Sequence, residues 1–433
     1  MTPNSPNGPG DPGIPAKNAR GGEHLMPTPS APAPEGAAEA PAEAPAETLA
    51  EFQGRVRAWF TANAPRKGSR EDFSAVHVVS ARTAEEYREQ EQHAIDVTRG
   101  WQLRLFDAGL AGRSWPAECG GHGAPAWQDE AVAEEQARWG VSTKMFAVGL
   151  EMVPAVLFAH GTHEQRVTYL PPILRGEHSW CQLLSEPGAG SDLASVQTRA
   201  TPRDGGGWTV TGQKVWTSNA GCSEYALLVA RTGSREEGRA GLSCFALDMT
   251  QPGVDIRPLR QMSGAYHFNE VFLDDAVVPE GGLIGGLGDG WAVLRTMLAS
   301  ERAAIGGGTS ARSATQLVAL ARHLGHADDP GVRDLLAQAV IRERTLDLLR
   351  ARIAAGHPVP AAGPTTKLLY SEHARLSADA ATTILGMAAT VVDDPVSAPW
   401  IERLLFAPGL RLGGGTDEIQ RNAIAERGLG LPR

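Results

Sequence analysis

The segment from Leu184 to Asp192 has the composition of a loop that receives a ligand. It reads Leu-Ser-Glu-Pro-Gly-Ala-Gly-Ser-Asp, so one proline and two glycines form a tight turn between two serine hydroxyls. Glycine lacks a Cβ, which lets the backbone approach a bound molecule closely, and proline favours the turn. Such turns are common, and taken alone this segment indicates no more than a surface loop.

Three further segments with hydroxyl, aromatic or glycine-rich patterns follow along the chain. Lys214–Ala220 reads Lys-Val-Trp-Thr-Ser-Asn-Ala. Phe268–Asp275 reads Phe-Asn-Glu-Val-Phe-Leu-Asp-Asp and is followed by Val278 and Pro279. Near the end of the chain, Gly413–Arg421 reads Gly-Gly-Gly-Thr-Asp-Glu-Ile-Gln-Arg. The four segments together are far more specific than any one of them.

In this order, the four segments resemble the motifs of the acyl-CoA dehydrogenase family. The family's versions are T-E-P-G-A-G-S-D, K-x-W-I-T-N, a strand that ends in V-P, and Y-E-G-T-x-x-I-Q-R. Trp115–Gly121 also resembles the family's W-P-x-E-Y-G-G, with Cys119 in place of the usual tyrosine. The resemblance covers roughly Leu49 to Arg433. The Phe-Asn-Glu-Val-Phe strand and the ending Leu-Gly-Leu-Pro-Arg are most similar to the actinobacterial branch that handles bulky acyl groups, such as steroid side chains.

The resemblance implies that the chain binds FAD and converts an acyl-CoA to its trans-2-enoyl thioester, with the electrons passed to an electron-transfer flavoprotein. Backbone groups of Leu184 and Ser185 would bind the pyrimidine end of the flavin ring. Trp216 would pack against the ring, and the Ser218 hydroxyl would lie near N5, the hydride acceptor. The full set of implied cofactor contacts is Leu184, Ser185, Gly190, Ser191, Trp216, Thr217, Ser218, Gly415 and Thr416.

On the substrate side, the reaction needs a base, because the α-proton of an acyl thioester is far less acidic than a carboxylic acid. Many family members use the glutamate of Y-E-G-T, but this chain has Gly414 there, whose backbone N–H can still donate to the thioester carbonyl. The segment around His267 is a candidate for lining the acyl or pantetheine channel, with plain solvent exposure as the alternative. The candidate substrate contacts are Ser191, Tyr266, Asn269 and Arg302.

Glu301 is the candidate for the missing base. Leu294, Leu298, Glu301 and Ile305 follow at helical spacing, so Glu301 lies on the apolar stripe of a predicted helix. A carboxylate there is partly desolvated, which raises its pKa toward a value useful for proton abstraction. A branch of the family that includes isovaleryl- and long-chain-type enzymes carries its glutamate on this helix before an arginine, and Glu301-Arg302 matches. The alternative is a structural glutamate paired with a cation of the helical bundle.

A second departure from the family concerns assembly. Family members often carry R-x-x-F-G after this helix, and a neighbouring subunit uses that arginine on the FAD pyrophosphate. Here the segment reads Ala321-Arg322-His323-Leu324-Gly325, so the arginine is one residue out of register and leucine replaces phenylalanine. Some actinobacterial relatives pair two unlike chains, so that half of the potential sites hold FAD. Both a homo-oligomer and a heteromer with a related chain stay open.

Two other classes of function also stay open. Relatives of the same fold include acyl-CoA oxidases, nitroalkane oxidases and two-component flavin monooxygenases, and the monooxygenases need no carboxylate base. The chain is alternatively a non-catalytic scaffold subunit that stabilises a partner's flavin site, which Gly414 and the shifted Arg322 favour. The acyl group and its carrier, CoA or a carrier protein, are open as well.

The predicted elements that position these residues are helices, then strands, then helices. Helical periodicity prevails up to about Trp180; Thr162–Gln165 predicts a capping box that opens one helix, and Pro171 and Pro172 predict its end. Short β-like runs, separated by turn residues, predict an antiparallel sandwich or barrel. These runs are Trp208–Ser218, with a glycine-containing turn in its middle, Tyr225–Thr232, Leu242–Met249, Val254–Leu259 and Phe268–Asp274.

The helical period returns after Gly290. The predicted helices are Trp291 to about Arg322, Pro330–Ala354, Thr365–Met387 and a short one after Glu418. The sequence therefore predicts an α+β multidomain, acyl-CoA dehydrogenase-like fold. Its parts are a disordered Pro/Ala-rich tail (1–47), an N-terminal all-α domain (48–179), a middle antiparallel β-barrel or sandwich domain (180–289) and a C-terminal four-helix bundle (290–433).

Composition excludes several classes of function. The 433-residue chain has a formal net charge of −10, so it lacks the basic surface expected of a nucleic-acid-binding protein and is repelled by anionic membranes. No stretch approaches the ~20 apolar residues of a membrane span. The four cysteines show no metal-ligand spacing, which indicates reduced thiols in a cytoplasmic protein without a metal.

The first 47 residues hold eleven of the thirty prolines and precede the first aromatic residue, Phe52. Such a segment buries too little apolar surface to offset the entropy of ordering, so we predict disorder. It has no apolar core of a secretory signal. Translation from Met1 and translation from Met26 are both compatible with this pattern.

Overall fold

The computed structural model describes residues 47–76, 81, 83–306 and 313–432, with the backbone alone for 302–306. The predicted tail lies outside these residues apart from Glu47. The described elements run as helices, then strands, then helices, which confirms the predicted fold class; the exact domain boundaries stay predictions. The N-terminal helices are α1 (Leu49–Asn63), α2 (Ala84–Asp107), α3 (Trp127–Gln136), α4 (Val153–His160) and α5 (His163–Leu174).

The middle part is a mostly antiparallel sheet, as predicted. Along the sheet the order is β6-β7-β3-β2-β4-β5-β8, and β1 pairs with β4 in parallel. The strands are β1 (Trp180–Leu183), β2 (Arg199–Pro202), β3 (Trp208–Ser218), β4 (Tyr225–Arg231), β5 (Leu242–Asp248), β6 (Val254–Leu259), β7 (Phe268–Val278) and β8 (Leu283–Ile284).

The C-terminal part is helical. None of the described helices combines enough length with enough apolar character to cross a membrane. These C-terminal helices are α6 (Gly290–Gly306), α7 (Ser313–His323), α8 (Pro330–Ala354), α9 (Ala362–Leu385), α10 (Ala398–Leu412) and α11 (Asp417–Ala423).

The sheet joins the parts of the chain because β4 is buried on both faces. Its side chains alternate between the faces, as the two-residue period of a strand requires. Leu227 and Val229 pack in a core cluster with residues of α4, α5 and α6, whereas Leu228 packs with the other strands. Helix α6, which carries the predicted base, therefore shares one core with the strands next to the predicted cofactor loop.

The structure corrects several predicted local features. Helix α5 opens with the predicted capping box but continues through Pro171 and Pro172, because Ile173 and Leu174 gain burial in the core. Gly212 does not turn the chain: β3 is one continuous strand with irregular pairing at that point. The predicted set of helices also lacks α10, which tolerates Pro408 in its interior.

Candidate active site

A buried ion pair fixes the glycine-rich loop. Lys214 has no exposed surface, and its Nζ lies 2.8 Å from Oε1 of Glu186 and donates to the carbonyl of Leu184 at 3.0 Å. The two carboxylate oxygens of Glu186 also accept from the backbone N–H groups of Gln197 (2.6 Å) and Thr198 (2.9 Å). The loop between β1 and β2 is therefore tied to β3 through a fully hydrogen-bonded pair, the arrangement that a buried charge requires.

Both members of this pair are charged at neutral pH. Burial lowers the pKa of Lys214 to about 8, and the Glu186 carboxylate opposes that shift. Burial alone would raise the pKa of Glu186, but Lys214 and the hydrogen-bond donors outweigh it and hold the pKa below its usual range. The sequence-based prediction missed both residues as site residues. The available signal was a lysine inside an otherwise apolar and hydroxyl-rich strand.

The outer edge of the glycine-rich loop is exposed to solvent. Leu184 is buried, and the Ser185 carbonyl accepts from the N–H of Val215 at 2.9 Å. Gly190 and Ser191 are exposed. The structure thus brings the cofactor candidates Leu184 and Ser185 against β3, where the next three candidates lie.

Trp216 projects from the sheet instead of packing into it. Its side chain is 59% exposed and its φ is +62°, a region that non-glycine residues rarely adopt. The pairing of β3 with β7 is irregular between Lys214 and Thr217, and such a bulge re-aims a side chain. The indole is held edge-on by the ring of Phe268, with centroids 5.8 Å apart. A strained backbone that holds a large aromatic ring in solvent fits a platform for a planar ligand better than a buried strand tryptophan.

The two residues after Trp216 supply hydroxyls beside this platform. The Thr217 hydroxyl is buried and has no hydrogen-bond partner among the described residues. The Ser218 hydroxyl lies 3.2 Å from Nε2 of His267, and burial lowers the pKa of that imidazole, so the ring is neutral at neutral pH. A buried hydroxyl without a hydrogen-bond partner, next to an exposed indole, is the arrangement expected where a polar, planar ligand binds. These residues therefore fit FAD.

The candidates on β7 and before it hold this segment from the other side. The Asn269 amide is buried and donates to the carbonyl of Thr217 at 3.1 Å, so it braces the cofactor segment; its contact with substrate stays a prediction. Tyr266 is half-buried against Tyr87, with ring centroids 6.4 Å apart. His267 also faces Phe406 of α10, which links the sheet to the helix that leads to the C-terminal glycine motif.

The C-terminal glycine motif is a tight turn. Gly414 and Gly415 have φ values of +68° and +93°, and Nε2 of Gln420 donates to both of their carbonyls, at 2.9 and 3.1 Å. A side chain at Gly415 would be strained at this φ, and its Cβ would lie 2.7 Å from that nitrogen and displace the Gln420 amide. Thr416 caps α11 by accepting from the N–H of Ile419. The turn is therefore rigid, although position 414 offers no carboxylate.

Buried charges anchor this turn to α9. Asp417 is 1% exposed and its Oδ2 accepts from Arg411 at 2.6 Å. Its Oδ1 accepts from the Ser371 hydroxyl at 2.7 Å and lies 3.4 Å from Nζ of Lys367. These donors outweigh burial and keep the pKa of Asp417 below its usual range.

Glu301 lies on α6 as predicted, and its side chain is half-buried. Leu294 on the same stripe is buried and Leu298 is half-buried against the core, whereas the side chains of Arg302 and Ile305 lie outside the described residues. The preceding Ser300 donates its hydroxyl to the backbone carbonyl of Glu151 at 2.7 Å. This bond fixes the turn of α6 that carries Glu301 against the N-terminal helices.

The end of α7 departs from the family as the sequence indicates. Ala321, in the register where the family's arginine is expected, is buried in the helical core, and Arg322 is exposed. The chain therefore presents no arginine at that register.

Glu91 is a buried carboxyl that sequence reasoning did not identify. It lies on α2, is 4% exposed, and packs against the 3-10 turn Ala220–Cys222 that follows the cofactor segment; a Cβ on Gly221 would lie 3.4 Å from its Oε2. Its Oε1 has no hydrogen-bond partner among the described residues. Burial raises the pKa of Glu91 to about 7, against a smaller lowering effect of a hydrogen bond with Tyr87.

Replacing Glu91 by glutamine is expected to change how stability depends on pH. The folded protein binds this proton more tightly than the unfolded chain, so the free energy of unfolding falls as pH rises from about 4.5 to about 7 and then levels off. The E91Q protein lacks this loss, which amounts to about 3 kcal/mol at most. Urea unfolding at pH 5 and pH 8 measures the difference, with the exposed Glu89→Gln on the same helix as control. Equal pH dependence of wild type and E91Q would show that Glu91 does not titrate in this range.

Comparison with known proteins identifies the class. Models of the acyl-CoA dehydrogenase N-terminal, middle and C-terminal domains match residues 71–177, 181–276 and 288–429. The chain belongs to the acyl-CoA dehydrogenase family.

Individual relatives indicate which branch of this family the chain resembles. The acyl-CoA dehydrogenase IpdE1 of Mycobacterium tuberculosis is 37% identical over 390 residues, which are 89% of this chain and 98% of that protein. The Tcur3481-Tcur3483 steroid ACAD superposes with a TM-score of 0.71 at 28% identity, covering 89% of this chain and 98% of that one. The ChsE4-ChsE5 complex from Mycobacterium tuberculosis gives 0.68 at 26% identity, covering 89% and 97%. These relatives confirm the predicted resemblance to the actinobacterial, steroid-type branch.

Proposed function

We propose that this chain carries out FAD-dependent α,β-dehydrogenation of an acyl-CoA. The observation that carries the proposal is the segment Trp216–Ser218, where an exposed indole on a strained backbone stands beside a buried hydroxyl without a partner. Family membership supports the same conclusion. When bound, FAD would accept the hydride that leaves the β-carbon of the substrate.

The residues proposed to hold FAD lie on β3, on the glycine-rich loop and in the C-terminal glycine motif. The ring would lie on Trp216, with the Thr217 and Ser218 hydroxyls and the backbone of the clamped loop at Leu184 and Ser185 along its polar edge. Ser191 and Gly190 are exposed at the end of that loop and would contact it from there. Gly415 and Thr416 would bind the phosphates or the ribityl chain.

The Glu301 carboxylate would act as the base. It takes the α-proton as the double bond forms and returns that proton to solvent after the reaction. The N–H of Gly414 would donate to the thioester carbonyl and stabilise the negative charge that develops there, as donors fixed in advance do in other enzymes. Ser300 contributes by tying the Glu301 turn to the N-terminal helices.

The substrate would be a bulky acyl-CoA, and the final electron acceptor an electron-transfer flavoprotein. The proposal of a bulky acyl group rests on the similarity to a steroid ACAD and to IpdE1. An oxidase or monooxygenase of the same fold is the alternative reaction class. A monooxygenase needs no carboxylate base, so the loss of activity expected without Glu301 separates it from a dehydrogenase, and reaction with oxygen separates an oxidase.

The chain would work as an oligomer, with a related but unlike chain as the favoured partner. Exposed apolar side chains line the outer face of α8, where Ile341 is 63% and Leu348 is 55% exposed, and such a face is a typical contact surface. Two departures from the family favour a partner chain. Arg322 is out of register and Gly414 has no carboxylate, so a partner would supply the missing arginine and the missing carboxylate. Two of the similar structures, ChsE4-ChsE5 and Tcur3481-Tcur3483, carry two chain names each.

The flavin content of the protein purified alone tests the proposed site and its partner. About one FAD per chain, bound as purified or after addition of FAD, would support a self-sufficient site and contradict the need for a partner. Protein that takes up FAD only after co-expression with a related chain would support the heteromer. A chain that binds no FAD under either condition would contradict the proposed function.

A further inference from the structure

Arg231, at the end of β4, is a buried cation that none of the steps proposed above uses. It is 5% exposed, and its planar guanidinium carries five N–H donors in a fixed geometry. Nε donates to the carbonyl of Val196 at 3.0 Å, and Nη2 donates to that of Ala194 at 2.6 Å. Nη1 donates to the carbonyls of Ser234 and Gly238, at 3.0 and 3.1 Å. One side chain therefore joins two segments that are distant in the sequence.

The first of these segments, residues 194–198, follows the glycine-rich loop and is held from two sides. Its amides donate to Glu186: the backbone nitrogens of Gln197 and Thr198 lie 2.6 and 2.9 Å from the two carboxylate oxygens. Its carbonyls accept from Arg231, whose backbone N–H also donates to the carbonyl of Thr198 at 2.7 Å. A carboxylate on the amides and a guanidinium on the carbonyls leave this segment little freedom to move.

The second segment is part of residues 232–241, which connect β4 to β5 and pack against α6. The guanidinium carbon of Arg239 lies 4.4 Å from the ring centroid of Trp291, in the first turn of α6. A cation over an indole ring is an attractive contact. Arg231 therefore braces the glycine-rich loop, through this connection, against the helix that carries Glu301.

Only a short tip of the glycine-rich loop is left between fixed points. At one end, Glu186 and Ala189 exchange two backbone hydrogen bonds, both of 3.0 Å. At the other end, the guanidinium of Arg231 holds the carbonyl of Ala194. Residues 190–192, the loop tip, lie between these points and are exposed. A short tip with fixed ends has few conformations, so it loses little entropy when a ligand binds to it.

We propose that Arg231 is a positioning residue for FAD binding: it fixes the loop tip, so that the Ser191 hydroxyl is in place before FAD binds. This proposal rests on the proposed function, in which Ser191 contacts FAD. Arg231 acts through the loop tip, because its own donors are taken up by backbone carbonyls. Lysine keeps the charge but offers its donors from a single nitrogen, so it cannot span both segments.

A double-mutant cycle on FAD affinity tests the proposal. Quenching of flavin fluorescence gives the dissociation constant of FAD for the wild type, R231K, S191A and R231K/S191A, with the partner chain where FAD binding requires one. We expect R231K to weaken FAD binding at least about tenfold, equivalent to about 1.4 kcal/mol. In the S191A background, R231K should have less than about a twofold effect, because the two residues act on one contact.

Arg199→Lys is the matched control. Arg199 pairs with Arg231 in the register of β2 and β4 but is exposed, so R199K should change FAD affinity by less than about twofold. Wild-type affinity in R231K would overturn the proposal. So would an equal loss from R231K with and without the Ser191 hydroxyl, since a purely structural role weakens the site regardless of Ser191.

Hydrogen exchange in the wild-type protein gives a second test, which decides the question even where R231K does not fold. In protein freed of FAD, the amides of Ala189, Gln197 and Thr198 should exchange slowly, because their hydrogen bonds are already formed. Adding FAD should change their exchange little. Rapid exchange of these amides without FAD, with protection only after FAD is added, would show that the cofactor orders the loop and would contradict the proposal.

The outcomes separate this proposal from the proposed function. If the wild type binds FAD and dehydrogenates an acyl-CoA while R231K binds FAD equally well, the proposed function stands and the positioning role fails. If the wild type binds no FAD, alone or with a partner chain, both are contradicted.

Discussion

Replacing Glu301 by glutamine is expected to lower the rate of acyl-CoA dehydrogenation by about 10²- to 10⁴-fold, the range that general base catalysis contributes. Glutamine keeps the size and the hydrogen-bonding ability of the side chain but cannot accept the α-proton. FAD content should change little, because the proposed platform for the flavin ring lies on β3 rather than on α6. Acyl-CoA affinity should also change little, because glutamine keeps the size and the hydrogen-bonding ability of the side chain. Single-turnover rates with saturating acyl-CoA measure the effect on the chemical step.

Glu418→Gln is the matched control for this prediction. Glu418 is the nearest glutamate after the glycine motif that replaces the family's Y-E-G-T, and its side chain is 73% exposed on α11. We expect E418Q to retain the wild-type rate. A normal rate in E301Q together with a large loss in E418Q would place the base in the C-terminal segment. Undiminished turnover in both variants would favour a reaction of this fold that needs no carboxylate base.

Replacing Lys214 by methionine is expected to destabilise the protein by about 3–5 kcal/mol, because it leaves the Glu186 carboxylate buried without its cation. The glycine-rich loop loses its tie to β3 at the same time, so FAD affinity should fall as well. Chemical denaturation measures the stability, and the flavin retained after gel filtration measures the affinity.

The double variant E186Q/K214M separates a buried charge from lost packing. It removes both charges, so it should recover part of the stability lost in K214M. Lys67→Met, at an exposed position, serves as the surface control and should change stability by less than about 0.5 kcal/mol. A K214M protein as stable as wild type would show that the pair does not hold the loop.

The fold was predictable from the sequence where local signals agreed with burial. The capping box Thr162–Gln165 and the bounds of α8 follow directly from side-chain chemistry and periodicity, and the structure has both. The prolines in α5 misled the prediction, because proline costs a helix little near its end when the following residues, here Ile173 and Leu174, gain burial. Burial in a tertiary core cannot be read from a short segment.

The candidate site was predictable as a set of motifs but not as a set of contacts. The quoted motifs located Trp216, Thr217 and Ser218, yet the exposure of the indole depends on a bulge that only the pairing of β3 with β7 reveals. The roles of Glu186 and Lys214 depend on a contact between residues 28 positions apart. Asn269, predicted near the substrate, braces Thr217, because side-chain direction on a strand is set by register.

Anaerobic mixing of the flavin-loaded protein with a bulky acyl-CoA tests the proposed activity most directly. The measurement follows the visible absorption of the flavin and identifies the organic product by mass spectrometry. Bleaching of the flavin band together with formation of a thioester two mass units lighter, at about one equivalent per flavin, is the predicted result, since α,β-dehydrogenation removes two hydrogens. A flavin that stays oxidised across a series of hydrocarbon and oxygenated acyl-CoAs, with the thioesters recovered unchanged, would contradict assignment of this chain as an acyl-CoA dehydrogenase in function.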